Sequence, residues 1–569
     1  MTQCIAALLL SVLSLIILSP RAAAAPGGDD KADLAVVHRI RAEAFQNSKV
    51  MDTLLRLTDV NGPRLAGSAG YRRAAEWAVQ RLKEWGIAGA RLDPWGREIR
   101  GWTLERFSAH LREPAYEPLA GIARAWTDST RGVVTGEVVL APLFEDKEDR
   151  EERHYPERLL ARIERYENRH RGKLRGRMVL IDPEQEIESA TQPATERYDH
   201  QELKKIARAP EPHFLAPLEW PIRLPRDKDE RERLLDSVPI EVKMEYYLRL
   251  QRAWDRFNAF LRDEGVLAAF SLDTRGHGAI VFGEEGGSYE PGAPLPPPMV
   301  MLRPESYLRL LRLVEKGIPA KVELQVEAQF SDEAQPGVNV IAEISGGARK
   351  DEWVMLGGHL DSWHGGTGAT DNASGCAVAL EAMRILKSLG VRLDRSVRLG
   401  LWDGEEIGYF GSRGYVKATF ADPVTMTLKP AHARLAGYFN VDNGSGRIRG
   451  VYLQGNDMVR PIFESWLAPF EDLGADTLTI ADTHGTDHLV FNDVGLPGFQ
   501  FIQDPLDYES RTHHSDLDVA DHVEEADLMQ ASAVLASFVY HTANRTGMLP
   551  RKPLPRPLPP RRDTLPAAR

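Results

Sequence analysis

The sequence predicts an α/β protein: a mixed, mostly parallel sheet flanked by helices, carrying an inserted, mainly β domain. Three observations predict it. After residue 334, apolar runs such as "WVML" and "SVRLGLW" alternate with helical patterns, the rhythm of strands joined by helical crossovers. Between residues 131 and 333 the runs are short and strand-like, among them "GVVTGEVVL", "GRMVLID" and "KVELQVEAQF". Ligand-type side chains gather where the apolar runs of the last segment stop, and open α/β sheets form their crevices at such strand ends.

In chain order, residues 1–25 read as a secretory signal. An apolar run from Ile5 to Leu18 precedes the small residues Ala22 to Ala25, although no Lys or Arg precedes the run. The run is short for a membrane span; an uncleaved anchor is the alternative. A secreted or periplasmic protein is expected, with no stable membrane insertion after cleavage. Residues 32–130 are expected to form the first part of the larger α/β domain. They comprise a helix over Ala32–Leu57, a loop "NGPRLAGS", a helix over Tyr71–Trp85 that repeats Ala74, Ala78 and Leu82 at helical spacing, and a strand near Ala90–Pro94.

The inserted domain is expected over 131–333. It holds a charged helical insertion at Glu145–Lys173, a strand at Leu174–Asp182, a helix leading into a strand at Phe257–Phe270, and strands at Gly278–Gly283, "PPPMVML" and "PAKVELQVEAQF". The polar, Pro-rich stretch 190–245 receives no assignment. The catalytic domain resumes over 334–547, with strands at Trp353–Leu356, Ser396–Trp402 and Ala436–Phe439. Its helices are expected at Gly375–Leu389, Gly411–Thr419, Met458–Pro469 and Glu525–Thr542. The Pro/Arg-rich tail 548–569 is expected to be disordered.

The 569 residues are 43% hydrophobic and 27% charged, enough for two or three domains. A formal charge of −12 argues against nonspecific nucleic-acid binding. Loss of the signal would leave Cys376 as the sole cysteine. It reads as a buried small residue rather than a nucleophile.

The densest chemistry lies in "GGHLDSWHGGTGATDNASG". His359 and Asp361 follow a strand, and Asp371 precedes a helix, with glycines that let the loop fold back on itself. Glu405 and Glu406 follow the next strand; two adjacent carboxylates repel unless a metal or a proton relieves them. Asp442 ends a further strand, and "THHSDLD" supplies His513, His514, Asp516 and Asp518. Imidazoles and carboxylates in this pattern suit a two-metal hydrolase. Asp371 can bridge two ions. One of the Glu405–Glu406 pair would bind metal and the other transfer protons; the residues alone do not choose between them.

The segments "GGHLDSW", "GATDNASG", "LWDGEEIG", "NVDNG" and "HHSD" resemble the M28 family of co-catalytic zinc peptidases. "NGPRLAGS", "HLDSW" and "HGTDH" are similar to its carboxypeptidase Q (plasma glutamate carboxypeptidase) group. The resemblance spans Glu43 to Tyr540. It implies a zinc peptidase/phosphorylase-hydrolase-like fold, an inserted protease-associated domain and two zinc ions per chain. His359 and Asp442 would hold one ion, Glu406 and His514 the other, with Asp371 bridging. It makes Glu405 the general base, Asp361 the partner that orients His359, and His513 a hydrogen-bond donor to the oxyanion.

Asn372, Ala373 and Ser374 depart from the family pattern after the bridging aspartate, and the 145–173 insertion is longer than expected. In "HGTDH", Gly485 and Thr486 are placed near substrate and Asp487 as a support of the loop. His364 is placed near the cleft without being required as a ligand. The expected activity is that of an exported aminopeptidase or dipeptidase on peptide or dipeptide substrates, with homodimerisation left open. The alternatives are a carboxypeptidase of the glutamate-carboxypeptidase type, a non-peptide amidohydrolase and, last, a noncatalytic binding domain.

Overall fold

The computed structural model describes residues 30–558 apart from 186, 188–192, 213–223, 276–279 and 332–334. The expected signal segment lies outside the described residues. No helix among those described is long and apolar enough to cross a membrane.

Two eight-stranded sheets organise the chain. The first runs, in spatial order, Ala88–Ile99, Gln335–Ile344, Arg395–Trp402, Arg349–His359, Leu435–Asn440, Gly498–Gln503, Ile448–Tyr452 and Thr477–Thr479. Its four central strands, Arg395–Trp402 to Gly498–Gln503, are parallel. Antiparallel pairings at Ala88–Ile99, Gln335–Ile344 and Ile448–Tyr452 make the sheet mixed. The central strands are almost wholly buried, the Arg349–His359 strand from Val354 onward, because both faces are covered. Helices Ser374–Ser388 and Glu525–Asn544 bury Val378, Ala382, Val534 and Phe538 on one face. Trp402, Tyr438 and Phe491 pack on the other.

The second sheet forms the inserted subdomain. Its order is Glu117–Pro118, Trp102–Glu113, Lys321–Phe330, Val134–Leu140, Arg177–Leu180, Ala268–Leu272, Met299–Leu302 and Gly121–Ala123. This sheet takes in Trp102–Glu113, upstream of residue 131, which pairs with Lys321–Phe330. The charged 145–173 stretch is helical over Pro156–His170, and one stripe of it is buried: Leu159, Ile163 and Tyr166, at the spacing of a single helix face.

Three local expectations need correction. The helix expected over Ala32–Leu57 breaks into Leu34–Gln46 and Val50–Leu55. The Ser48 hydroxyl accepts from Val50 N and Glu381 accepts from Lys49 N, so a new helix starts there. The strand expected at Gly278–Gly283 falls partly outside the described residues; Phe282 makes a single antiparallel bridge to Ser515. The tail is docked, not disordered, as far as residue 558. Leu549 is buried, and Arg551 donates to the carbonyls of His432 at 3.0 Å and Leu435 at 2.6 Å. Proline excludes a regular helix there but not an extended segment pinned by its cations.

Three neighbouring parallel strands thus end at one edge, at His359, Trp402 and Asn440. The strand spacing there depends on Gly357, whose Cβ, if present, would lie 1.8 Å from the Gly400 carbonyl oxygen. Gly357→Ala is expected to lower stability by about 2 kcal/mol or more, read as a lower urea midpoint. An unchanged midpoint would show that the strands can part without cost.

Candidate metal centre

His359 closes its strand with Nδ1 3.0 Å from the Asp361 carbonyl oxygen. The Nδ1 proton is thereby committed, and Nε2 turns its lone pair inward. Asp371 Oδ1 lies 3.0 Å from that Nε2 and Asp442 Oδ1 lies 3.3 Å from it. The other Asp371 oxygen lies 3.2 Å from His514 Nε2 and 3.7 Å from His513 Nε2. Glu406 Oε2 approaches His514 Nε2 at 3.0 Å. One carboxylate therefore stands between two imidazole clusters, one oxygen to each.

Two groups of ligand atoms converge closely enough to hold an ion each: His359, Asp371 and Asp442, and Asp371, His513 and His514. Glu406 adjoins the second group through His514. The donor set fits zinc. Asp371 Oδ2 and Asp442 Oδ1 sit beside imidazole nitrogens yet form no hydrogen bond, and Glu405 Oε1 and Glu406 Oε1 are likewise buried without a partner. Nitrogen and oxygen atoms that face one point about 3.3 Å apart have the spacing of adjacent corners of a tetrahedron with bonds of about 2 Å. The two clusters are consistent with a di-zinc centre.

The electrostatics express the same crowding. Burial opposes charge on His359, but Asp442, Glu405, Asp361 and Asp371 together pull its pKa well above the usual range. His514 behaves alike, with burial overcome by Glu406 and Asp371. Burial would raise Asp371, yet the two imidazoles hold it well below the ordinary carboxylate range. Glu405 is pushed well up by burial; His359 opposes this, and Asp442, Asp487 and Glu406 add to it. Burial and Asp371 bring Glu406 to about 7 against the pull of His514. His513 is driven down to about 3 by burial and by His514, which makes it a neutral ring at the rim of the second cluster.

The supports divide between foreseen and unforeseen residues. Asp361 orients His359 with its main-chain carbonyl. Its carboxylate accepts from Glu405 N at 3.2 Å and Glu406 N at 3.3 Å, fixing the turn that presents both glutamates. Asp518 accepts from Thr370 N at 2.6 Å, Thr370 Oγ1 at 2.8 Å and Asp371 N at 3.2 Å. The sequence reading gave Arg64 no role. It is fully buried and donates to the carbonyls of Leu57, Leu360, Thr367 and Gly368 at 2.6–3.0 Å, bracketing the loop between His359 and Asp371. Its presence in "NGPRLAGS" was the available signal.

Other candidates fall outside the centre. His364 Nε2 lies 2.7 Å from the Ala123 carbonyl oxygen, and burial lowers its pKa to about 4; it joins the two subdomains. Thr486 is buried and accepts from Asn440 Nδ2 at 2.8 Å, so it supports a strand end, while its neighbours His484 and Gly485 line the cavity. Asp487 lies buried near the same charges, and burial brings it to about 8. The Cys376 thiol packs against the His359 carbonyl at 2.9 Å and is pushed up to about 12 by burial, so it is no nucleophile.

The centre opens into a cavity of about 880 Å³ between the two sheets. Tyr247, Trp254, Arg124, Arg275 and Glu284 of the inserted subdomain face the clusters across it.

Residues 339–539 match the model of Peptidase family M28. Among curated relatives, carboxypeptidase Q of Bos taurus is 30% identical over 263 residues, 46% of this chain and 53% of the relative. Carboxypeptidase Q of Rattus norvegicus is 29% identical over the same length. The chain spans about half the length of the curated relatives it matches. Its fold is like that of a peptidase M28 precursor from Shewanella amazonensis, with a TM-score of 0.60, 22% identity and coverage of 92% of this chain and 98% of that one. A zinc aminopeptidase from Bacillus subtilis gives a TM-score of 0.51 at 18% identity, covering 87% of this chain and 94% of that one. The chain is related to M28-family zinc peptidases, carboxypeptidase Q among them.

Arg64→Met would strand several buried carbonyls and is expected to cost about 3 kcal/mol or more. Arg64→Lys should restore only part, because an ammonium cannot span the same acceptors. Denaturant unfolding of the metal-free protein checks both; equal stability of the three proteins would remove Arg64 as the organiser of the loop.

Proposed function

We propose that the chain is a two-zinc metallopeptidase, and that its better supported specificity is that of a carboxypeptidase. One observation carries the first part: Asp371 stands between His359 and His514, amid buried carboxylate oxygens that lack hydrogen-bond partners. In this reading His359, Asp371 and Asp442 hold one ion, and Asp371, Glu406 and His514 hold the other. When bound, the ions supply Lewis acidity and a water of lowered pKa.

Glu405 is the proton carrier. Its Oε1 is buried and unpartnered; with the ions' charge offsetting the burial that raises its pKa, it would accept a proton from the attacking water and pass it to the leaving amine. His513, a neutral ring at the cavity edge, is placed to donate a hydrogen bond to the developing oxyanion. Asp361 holds His359 and the Glu405–Glu406 turn in register, keeping nucleophile and base at a fixed separation.

The specificity reading departs from the aminopeptidase or dipeptidase expected from sequence. The curated relatives named above are called carboxypeptidase Q, and Arg124, Arg150, Arg153 and Arg275 line the cavity. A substrate's C-terminal carboxylate entering it would meet these cations, of which Arg124 and Arg275 share Glu284 at 3.5 and 2.9 Å. An aminopeptidase or dipeptidase is the second reading, favoured by Glu285 and Glu509 on the same walls, which suit a free α-amine. The subdomain of the second sheet is read as the protease-associated insertion, residues 334–547 as the catalytic domain, and the Ile5–Leu18 run as an export signal to a secreted or periplasmic location.

Product mapping on matched free-amine, N-acetylated and C-amidated peptides, with and without chelator, separates the readings. Chelator-sensitive release of C-terminal residues regardless of N-acetylation is expected. Cleavage confined to free-amine peptides would instead establish the second reading. Glu405→Gln should keep its metal and lose about 10²- to 10⁴-fold in kcat; a near-normal rate would end its role as base. Asp371→Ala should weaken both ions together, as read by metal analysis after dialysis, and loss of one alone would argue against bridging.

A further inference from the structure

We infer that the inserted subdomain builds part of the metal centre: Arg303 and Asp516 are positioning residues that hold His514 in place. This rests on the reading of His514 as a metal ligand. His514 has φ of +61°, in the left-handed region that side chains other than glycine avoid. The loop around it is irregular, so its conformation must be imposed by contacts.

Those contacts come in large part from the inserted subdomain. Gly283 N donates to the His514 carbonyl at 2.8 Å, and Asp516 N donates to the Val281 carbonyl at 2.8 Å. Phe282 and Ser515 form an antiparallel bridge between these bonds. The Asp516 carboxylate completes the clamp: Oδ1 accepts from Val281 N at 2.9 Å and Oδ2 from Arg303 Nη2 at 2.9 Å. Both of these partners belong to the inserted subdomain.

The clamp is anchored at two strand ends of the second sheet. Arg303 directly follows Met299–Leu302. Asp273 directly follows Ala268–Leu272, is buried, and accepts from Phe282 N at 2.8 Å. Below, the loop has little room to shift, because a Cβ on Gly365 would lie 3.1 Å from the Ser515 carbonyl carbon. The inserted sheet thus fixes residues 281–283, these fix 514–516, and the imidazole beside Asp371 and Glu406 is aimed as a result. The first cluster rests mainly on the first sheet, where His359 ends one strand and Asp442 lies two residues past another, although His364 also links the loop between His359 and Asp371 to Ala123 of the inserted subdomain.

The test uses the full chain loaded with zinc. Arg303→Met is expected to weaken one of the two zinc ions about tenfold or more, the scale of effect of partners that orient a ligand. Titration with a competing chelator and metal content after dialysis read this directly. The other ion should be unaffected, kcat should fall with KM little changed, and excess zinc should restore activity. Asp516→Asn keeps an acceptor for Val281 N but loses the charge pairing, and should act in the same direction. Its effect should not add to that of Arg303→Met in the double variant. Arg303→Lys should recover part of the loss. It also keeps the inference testable if Arg303→Met fails to fold.

Two tightly held ions in both Arg303→Met and Asp516→Asn would overturn the inference. His514→Ala, measured alongside, separates this from failure of the underlying reading. Loss of one ion in His514→Ala but in neither clamp variant overturns the clamp alone. No loss in His514→Ala overturns the ligand assignment on which it rests.

Discussion

Buried negative charge around Asp371 is the constraint on which the rest of the structure depends. Asp371, Glu405 and Asp442 are buried with His359, and the Glu406 side chain is 4% exposed beside His514. Two imidazoles are too few cationic groups to offset so many carboxylates, and an uncompensated buried ion costs several kcal/mol. Such a cluster persists only if its backbone is over-determined and a proton or a further cation relieves the charge. The supports supply the first condition. Asp361 ties the histidine strand to the glutamate turn, Asp518 ties down the main chain of Asp371, and Arg64 closes the loop between the two ligand segments. The orphaned oxygens supply the second.

The sheets serve this cluster through close backbone approach. Gly357 allows neighbouring parallel strands to end level with one another. Gly375 lets the helix after Asp371 start against a strand end, since a Cβ there would lie 2.1 Å from the Val441 carbonyl oxygen. The second sheet lines part of the cavity, through Leu272 and Met301 among others, and its subdomain reaches the histidine loop through residues 281–283. The histidine loop and the inserted subdomain are therefore hydrogen-bonded to each other at this point, although they lie more than two hundred residues apart in sequence.

The candidate ligands were legible because strand ends announce themselves: an apolar run stops, and His, Asp or Glu follows. His359, Glu405, Glu406 and Asp442 follow strands as that pattern suggests, and Asp371 and His514 join them from loops. Arg64 was not legible in the same way, because its acceptors are main-chain carbonyls around residues 57 and 360–368, and carbonyls have no sequence signature. The family resemblance paired Asp361 with His359, but not the division of labour between its carbonyl and its carboxylate. The start of the second sheet was hidden for a related reason. Trp102–Glu113 finds its partner at Lys321–Phe330, and no local periodicity encodes so distant a pairing. The tail misled in the opposite direction, since proline content excludes helix but does not exclude docking.

The most direct test of the central claim is anomalous diffraction at the zinc edge from crystals of the zinc-loaded protein. Two peaks are predicted, one between His359 and Asp442 and one between His514 and Glu406, with the Asp371 carboxylate between them. A single peak, or peaks remote from Asp371, would contradict the account that its two oxygens serve two ions.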